Sequence, residues 1–348
     1  MSRKDLLVSI ANTIADYRLG EIAKADPAHV ERWVRQFSKD AQDAFLQEID
    51  HTLKKTYFSR DGVIRFLSDK VICSKNLAGA DFCAFWPTAT FLSIQQNGES
   101  QQSMLELFDG VLKKTCKVSA KKCGAAGGPF IYLDDVVFTG SRVGSDLERW
   151  IAEDAPKSAK VHVITMAVHT LGEWQAGNRL KEAAKKAGKG IEVKFWCSRR
   201  IENRKSNKDD SEVLWPTELP PVKAVTDYAA QDQKFPYIPR KPGGKLAESV
   251  FSSEKGRALL EQEFLIAGVK IRGYCANPKP IMRPLGFSAF GLGFGSTIAT
   301  FRNSPNNSPL AIWWGDPTAN ASHPLSKWYP LLPRKTYKKE IDLNEIFS

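Results

Sequence analysis

Apolar positions recur every three or four residues through the first 70 or so residues, and beyond Asp81 they gather into short unbroken runs separated by helical stretches. Leu6, Leu7, Ile10, Ile14 and Tyr17 predict a first helix. Asp26-Pro27 is a start signal for a second, an N-cap followed by proline at the first helical position, with Val30, Val34 and Phe37 on one face and Trp33 beside them. A third helix carries Phe45, Ile49, Leu53 and Tyr57, and a shorter one follows through Val63, Ile64 and Phe66. In the second region Phe82 to Phe85 and Ala89 to Ile94 are candidate strands ahead of a polar turn, Gln95 to Ser100, and of a helix with Met104, Leu105, Phe108 and Leu112 inward. Phe130 to Leu133 is an unbroken apolar run, as a central parallel strand covered on both faces requires. A helix over Asp146 to Ala152, a strand over Lys160 to Thr170, a helix over Gly172 to Ala187 and a strand over Ile191 to Trp196 follow. This alternation predicts an α/β fold, a parallel sheet with helices on both faces.

After residue 197 the pattern loosens. Residues 197 to about 250 are polar and then rich in proline, which predicts an elaborated loop or hood rather than another layer. A helix over Ser252 to Ala267 is closed by Gly268, and Val269 to Tyr274 reads as a strand. Gly291 to Ser296, GLGFGS, lacks a buried strand before it and the third glycine of a dinucleotide loop, so it reads as a connection. Thr297 to Phe301 and Leu310 to Trp314 read as strands of a hairpin. The expected division is a helical module over 1–70 and an α/β domain over 71–348.

Composition narrows this picture. At 348 residues, 42% hydrophobic and 26% charged, the chain is an ordinary globular protein, and no run of apolar residues is long enough for a membrane span. Six cysteines, with no CxxC pair, support neither a zinc site nor a disulfide framework, so a reduced cytoplasm is the expected compartment. Fifty basic against 39 acidic residues give a net charge of +11, which attracts phosphate-bearing partners such as nucleotides, RNA or DNA. The first 70 residues are no basic stripe, since Asp26, Glu31, Asp40, Asp43, Glu48 and Asp50 are mixed through them. They read as an interaction module rather than a base-reading one.

The chemistry concentrates in Phe130 to Val143, FIYLDDVVFTGSRV. Asp134 and Asp135 end the apolar run, where open parallel sheets bind ligands. Thr139, Gly140 and Ser141 form a small-residue turn opening a helix, which offers backbone N–H groups to an anion. Two carboxylates beside such a turn suit ribose hydroxyls or a phosphate-bound Mg²⁺. The lysines of Lys113 to Gly128 form either a mobile lid or a solvated loop, and His162 and His169 read as core histidines, the latter facing the ligand side.

LDDVVFTGSRV resembles the phosphoribosyl pyrophosphate loop of type I phosphoribosyltransferases, four hydrophobic residues, two acids, two further positions and then Thr-Thr-Gly-Gly-Thr. Asp134, Asp135, Thr139 and Gly140 match in place, whereas Phe138, Ser141 and Arg142 depart. The resemblance implies that the two acids hold ribose hydroxyls or Mg²⁺, that Thr139, Gly140, Ser141 and Arg142 cradle the 5′-phosphate, and that Gly98 and Ser100 belong to the turn holding pyrophosphate. Arg302 to Pro309, RNSPNNSP, followed by Trp313-Trp314-Gly315, and the early HVERWVRQF, His29 to Phe37, are similar to segments of phosphoribosyltransferase-like proteins of bacterial conflict systems, some encoded beside retrons. There a winged-helix-like segment precedes the domain. Two functions follow as expectations. One is an anti-phage effector that acts on a glycosidic bond of a phosphoribosyl compound or nucleotide, partnered by a reverse transcriptase and its non-coding RNA or DNA. The other is a ligand-sensing regulator that binds nucleic acid.

Overall fold

The structure is a computed structural model and describes residues 1–335 except 97, 126, 232–235 and 245–249. Two compact units result, one of residues 60–201 and one that joins residues 1–59 to the chain from Glu202 onward. The division therefore differs from the expected one at residue 70, because the amino-terminal helices share their core with the carboxyl-terminal part.

Helix α1 (Arg3–Thr13) starts with a capping box between Ser2 and Asp5. Helix α2 (Pro27–Val34) starts as the sequence predicts: the Asp26 carboxylate accepts the His29 N–H at 2.7 Å, and Pro27 occupies the first turn. Helix α3 (Gln42–Thr56) follows and runs into strand β1 (Tyr57–Phe58).

The unit of residues 60–201 holds the sheet. Helices α4 (Arg60–Arg65), α5 (Lys75–Ala78) and α6 (Phe82–Phe85) precede it. Helix α6 replaces the strand expected over these four residues, because the Asp81 carboxylate accepts the Ala84 N–H at 3.1 Å and caps a helical turn. An apolar run this short carries no period of its own. Then β2 (Thr90–Phe91), α7 (Ser100–Cys116), β3 (Phe130–Leu133), β4 (Val136–Val137), α8 (Ser141–Glu153), β5 (Ser158–His169), α9 (Thr170–Ala187) and β6 (Gly190–Ile201) alternate, and every strand pair is parallel. Leu133 stands opposite Ile164 and Val136 opposite Ala167, so β3 and β4 are two pieces of one strand in one register along β5.

Helices cover both faces. Phe91, opposite Ile131, packs its ring 5.1 Å from that of Phe108 on α7. Tyr132 points to the other face and donates its hydroxyl to Asp146 of α8 at 2.9 Å. On that second face Tyr132, Val137, Leu147, Trp150, Val163, Val168, Ala176 and Leu180 form one core. Tyr132 and Val137 are five positions apart, as are Val163 and Val168, yet share a face, so strict alternation is broken between them on both strands. The break falls at Asp134-Asp135.

Cys83 and Cys116 form a disulfide, sulfur to sulfur 2.01 Å, tying α6 to the end of α7. This corrects the expectation of no disulfide. Partners 33 residues apart leave no spacing pattern, and the helix packing that joins them is long-range.

In the other unit α10 (Lys223–Gln231), α11 (Glu254–Arg272), β7 (Ala299–Thr300) and α12 (Leu310–Trp313) complete the chain. Three expectations fail here. Val269 to Tyr274 is no strand, because α11 runs on to Arg272 through Gly268, whose missing side chain admits Pro284: a Cβ would lie 2.5 Å from the Pro284 carbonyl oxygen. Leu310 to Trp313 is a helical turn with all four residues buried. The hairpin is absent, since Ala299–Thr300 pairs with Tyr57–Phe58 in parallel. That ladder, rather than an antiparallel wing, is the strand pairing beside α1 to α3 among the described residues. Trp33, Phe37, Phe45, Phe264 and Trp328 pack ring to ring in the core, and Trp33 Nε1 donates to the Ala311 carbonyl at 2.8 Å. Asn97 of the polar turn, Ala126 of the lysine-rich segment and two pieces of the expected insertion over 197–250 lie outside the described residues.

Candidate functional site

The acids sit at the carboxyl end of β3, where the alternation breaks. Asp134 is buried and Asp135 partly so. Both keep the strand register, Asp134 donating its N–H to the Ile164 carbonyl at 3.1 Å and Asp135 accepting from the Met166 N–H at 2.8 Å. Their carboxylates turn back on the chain: Asp134 Oδ1 accepts the Asp135 N–H and Asp135 Oδ1 the Val136 N–H, each at 2.8 Å.

Burial pushes the Asp134 carboxyl up to about 7, and the charge of Asp135 adds to this, while the Ser100 hydroxyl, Arg142 and the Asp135 amide pull the other way. Thus the Ser100 hydroxyl at the start of α7 bonds this carboxyl, and the charge of Arg142 in the first turn of α8 acts on it. Asp135, Ser100 and Arg142 all act on the Asp134 carboxyl.

The turn after β4 is fixed by backbone packing. Gly140 has φ +73°, and a Cβ there would lie 2.1 Å from the Gly172 carbonyl oxygen; a Cβ at Gly172 would lie 2.1 Å from that of Phe138. Gly140 is therefore required by the close approach of two turns. Thr139, Ser141 and Arg142 are exposed, and Thr139 Oγ1 accepts the Ser141 N–H at 3.3 Å. Below them His169 stacks on Phe138, ring centres 5.0 Å apart. Burial lowers its pKa to about 4, so the imidazole is neutral and its Nδ1–H donates to the Val137 carbonyl at 3.0 Å. His169 is a core histidine, as expected, and it braces the turn.

Gly98 lies in the second loop with φ +86°. Residues the sequence does not single out hold that loop. Gln101 Oε1 accepts the N–H groups of Ile94 at 2.7 Å and Gln95 at 3.0 Å, and Gln95 Oε1 accepts the Gln101 N–H at 3.0 Å. Arg149 donates to the Ile94 carbonyl, and Asp146 accepts from the Gln96 backbone as well as from Tyr132. Helix α8 thus carries the Thr139–Gly140 turn at one end and holds the second loop through its next two turns. No local spacing marks these residues, because each acts across more than forty positions of chain or through a loop of its own.

Among the described residues no group of three or more His, Cys, Asp or Glu is placed to hold a metal ion. Two carboxylates are nevertheless the protein share of a typical Mg²⁺ site, whose remaining ligands are water and substrate phosphate. The donor set fits such an ion.

A parallel sheet whose central strand ends in paired acids, followed by a turn that opens a helix beside them, defines a protein of the phosphoribosyltransferase-like class. The model of the PRTase-CE family matches residues 30–334, and the chain belongs to that family. No curated protein and no solved structure matches the chain. Among the described residues no helix is long and apolar enough to cross a membrane.

Proposed function

We propose that this chain is a phosphoribosyltransferase-like effector of a bacterial anti-phage system of the retron type, which binds a phosphoribosyl compound or nucleotide and acts on its glycosidic bond. The observation that carries the reading is the buried Asp134 carboxyl next to Asp135, bonded by the Ser100 hydroxyl and acted on by the charge of Arg142. A buried acid beside a second, partly buried one is unfavourable without a ligand or ion to meet it. In the proposed reaction the C1′ bond to the leaving group breaks with its electron pair, giving an oxocarbenium-like ribose that water or another acceptor captures at C1′. Asp135 and Asp134 hold the ribose hydroxyls, with Mg²⁺ neutralising phosphate charge where it binds. Thr139, Gly140, Ser141 and Arg142 hold the 5′-phosphate, and Gly98 and Ser100 lie on the pyrophosphate side.

The regulator alternative asks for a helix free to read nucleic acid. Val30, Trp33 and Val34 of α2 are all fully buried, which leaves that helix engaged in the core of its own unit. The effector role implies a cytoplasmic chain partnered by a reverse transcriptase with its RNA or DNA.

The test is calorimetry with phosphoribosyl pyrophosphate and Mg²⁺ on the wild type and on Asp134→Asn plus Asp135→Asn. Heat from the wild type alone supports the site; equal heats from both sink it. Phage plating with the same two chains, each with its neighbouring genes, tests the defence role separately.

A further inference from the structure

Strand β6 runs from Gly190 to Ile201 along the edge of the sheet, and among the described residues it pairs with β5 alone. From Gly190 to Arg200 none of its residues is buried, in contrast to β5, which is buried from Val163 to His169. Edge strands are usually short, bent by a bulge or broken by proline, because a row of open backbone groups recruits another chain. β6 is twelve residues long, contains no proline and keeps one register with β5, interrupted at Met166 and Ser198; its Phe195 carbonyl accepts from the Arg200 side chain at 3.1 Å, which covers one of its backbone acceptors. Its alternation is two-sided. Ile191, Val193 and Phe195 lie against the core beneath α9 and remain partly exposed, whereas Glu192 and Lys194 lie on the opposite face and are exposed.

A single lysine on an edge usually repels a second strand. Here Lys194 is neutralised by Glu192, N to O 3.1 Å. The segment is also complementary to itself when reversed. If two copies meet antiparallel with Val193 opposite Val193, then Ile191 faces Phe195, Glu192 faces Lys194, and Gly190 leaves room for Trp196. Over Ile191 to Phe195 the apolar residues meet apolar ones on one face, and Glu192 and Lys194 meet their opposites on the other.

We propose that β6 is a self-pairing surface, and that two copies of this chain join edge to edge through β6 about a two-fold axis at Val193, continuing the parallel sheet of each across the contact. The interface is isologous, so each charge pair occurs twice and the contact closes on itself. The occupant is a second copy rather than an unrelated peptide because the charge order of the strand is matched by its own reversal.

The experiment is sedimentation equilibrium of the full chain, wild type, Glu192→Lys, Lys194→Glu and the double reversal. Both residues are exposed, so each variant folds, and circular dichroism checks it. The wild type is expected to dimerise. Each single reversal sets like charges opposite each other twice and raises the dimer dissociation constant roughly tenfold, while the double reversal restores the wild-type constant. A monomeric wild type at every concentration overturns the proposal. So does a dimer indifferent to the single reversals, which would use another surface, and so do single effects that add rather than cancel.

Discussion

Replacing Asp134 by asparagine separates stability from function at the acid pair, because its two consequences have opposite signs. In the folded chain burial holds this carboxyl at about 7 against an ordinary 3.8, with the charge of Asp135 contributing. Below 3.8 both folded and unfolded chains carry the proton. Between 3.8 and about 7 the unfolded chain has lost it and the folded chain has not, so the folded state binds more protons and stability falls as the pH rises. Above about 7 the loss is complete and amounts to ~4 kcal/mol, the free-energy equivalent of that displacement. Asparagine keeps the size of the side chain and an oxygen to accept the Asp135 N–H, but never ionises. Asp134→Asn is therefore expected to be more stable than the wild type by up to ~4 kcal/mol near pH 8, with the gain shrinking to nothing near pH 4. Urea unfolding of both chains at about pH 4, 6 and 8 measures this directly. On the proposed function, phosphoribosyl pyrophosphate with Mg²⁺ should stabilise the wild type by about 2.7 kcal/mol at a hundredfold excess over the dissociation constant, and the same variant should lose that gain. A variant less stable than the wild type at pH 8, or a stability difference independent of pH, would refute the reasoning, since either means that Asp134 is not held against its charge.

Other perturbations read other parts of the molecule. Gly140→Ala places a methyl 2.1 Å from the Gly172 carbonyl oxygen at a positive φ, so it should destabilise by more than ~2 kcal/mol and weaken ligand binding, seen as a lower midpoint in thermal melting and a lost heat in calorimetry. Reduction of Cys83–Cys116, or Cys116→Ser, frees a loop of 33 residues in the unfolded chain and should lower stability by about 3.7 kcal/mol, read by urea unfolding with and without reductant. Glu261→Gln leaves the buried Arg257 and Arg240 guanidinium groups without the carboxylate that bonds both, which should cost about 3–5 kcal/mol, whereas an exposed pair such as Lys223–Asp227 should be worth less than ~1 kcal/mol in the same assay.

The legible parts of this chain are those in which one residue run does one job. Phe130 to Leu133 reads as a strand because burial between two layers leaves an unbroken apolar run; Lys160 to Thr170 reads as one through its largely apolar run, and Ile191 to Trp196 through the alternation of Ile191, Val193 and Phe195 with Glu192 and Lys194, and the observed β5 and β6 contain them almost entirely. The acid pair was visible for the same reason, since two carboxylates at the end of such a run have no structural excuse. The misread segments are short apolar runs whose conformation is decided by distant partners. Phe82 to Phe85 is helical because of Asp81, Leu310 to Trp313 because all four side chains enter a core built by residues far away, and Val269 to Arg272 because Gly268 is a packing site for Pro284 rather than a stop. The site follows the same division. Asp134, Asp135, Thr139 and Gly140 lie in one continuous stretch and could be read together, whereas the parts that fix the second loop, Gln101, Asp146 and Arg149, act on backbone groups that sequence does not display. Helix α8 connects the two cases: its first turn follows the Thr139–Gly140 turn, and its next two turns are constrained by Tyr132 and by the carbonyl of Ile94. A substitution at Asp146 therefore moves the second loop and the central strand together, and the two halves of the site cannot vary independently.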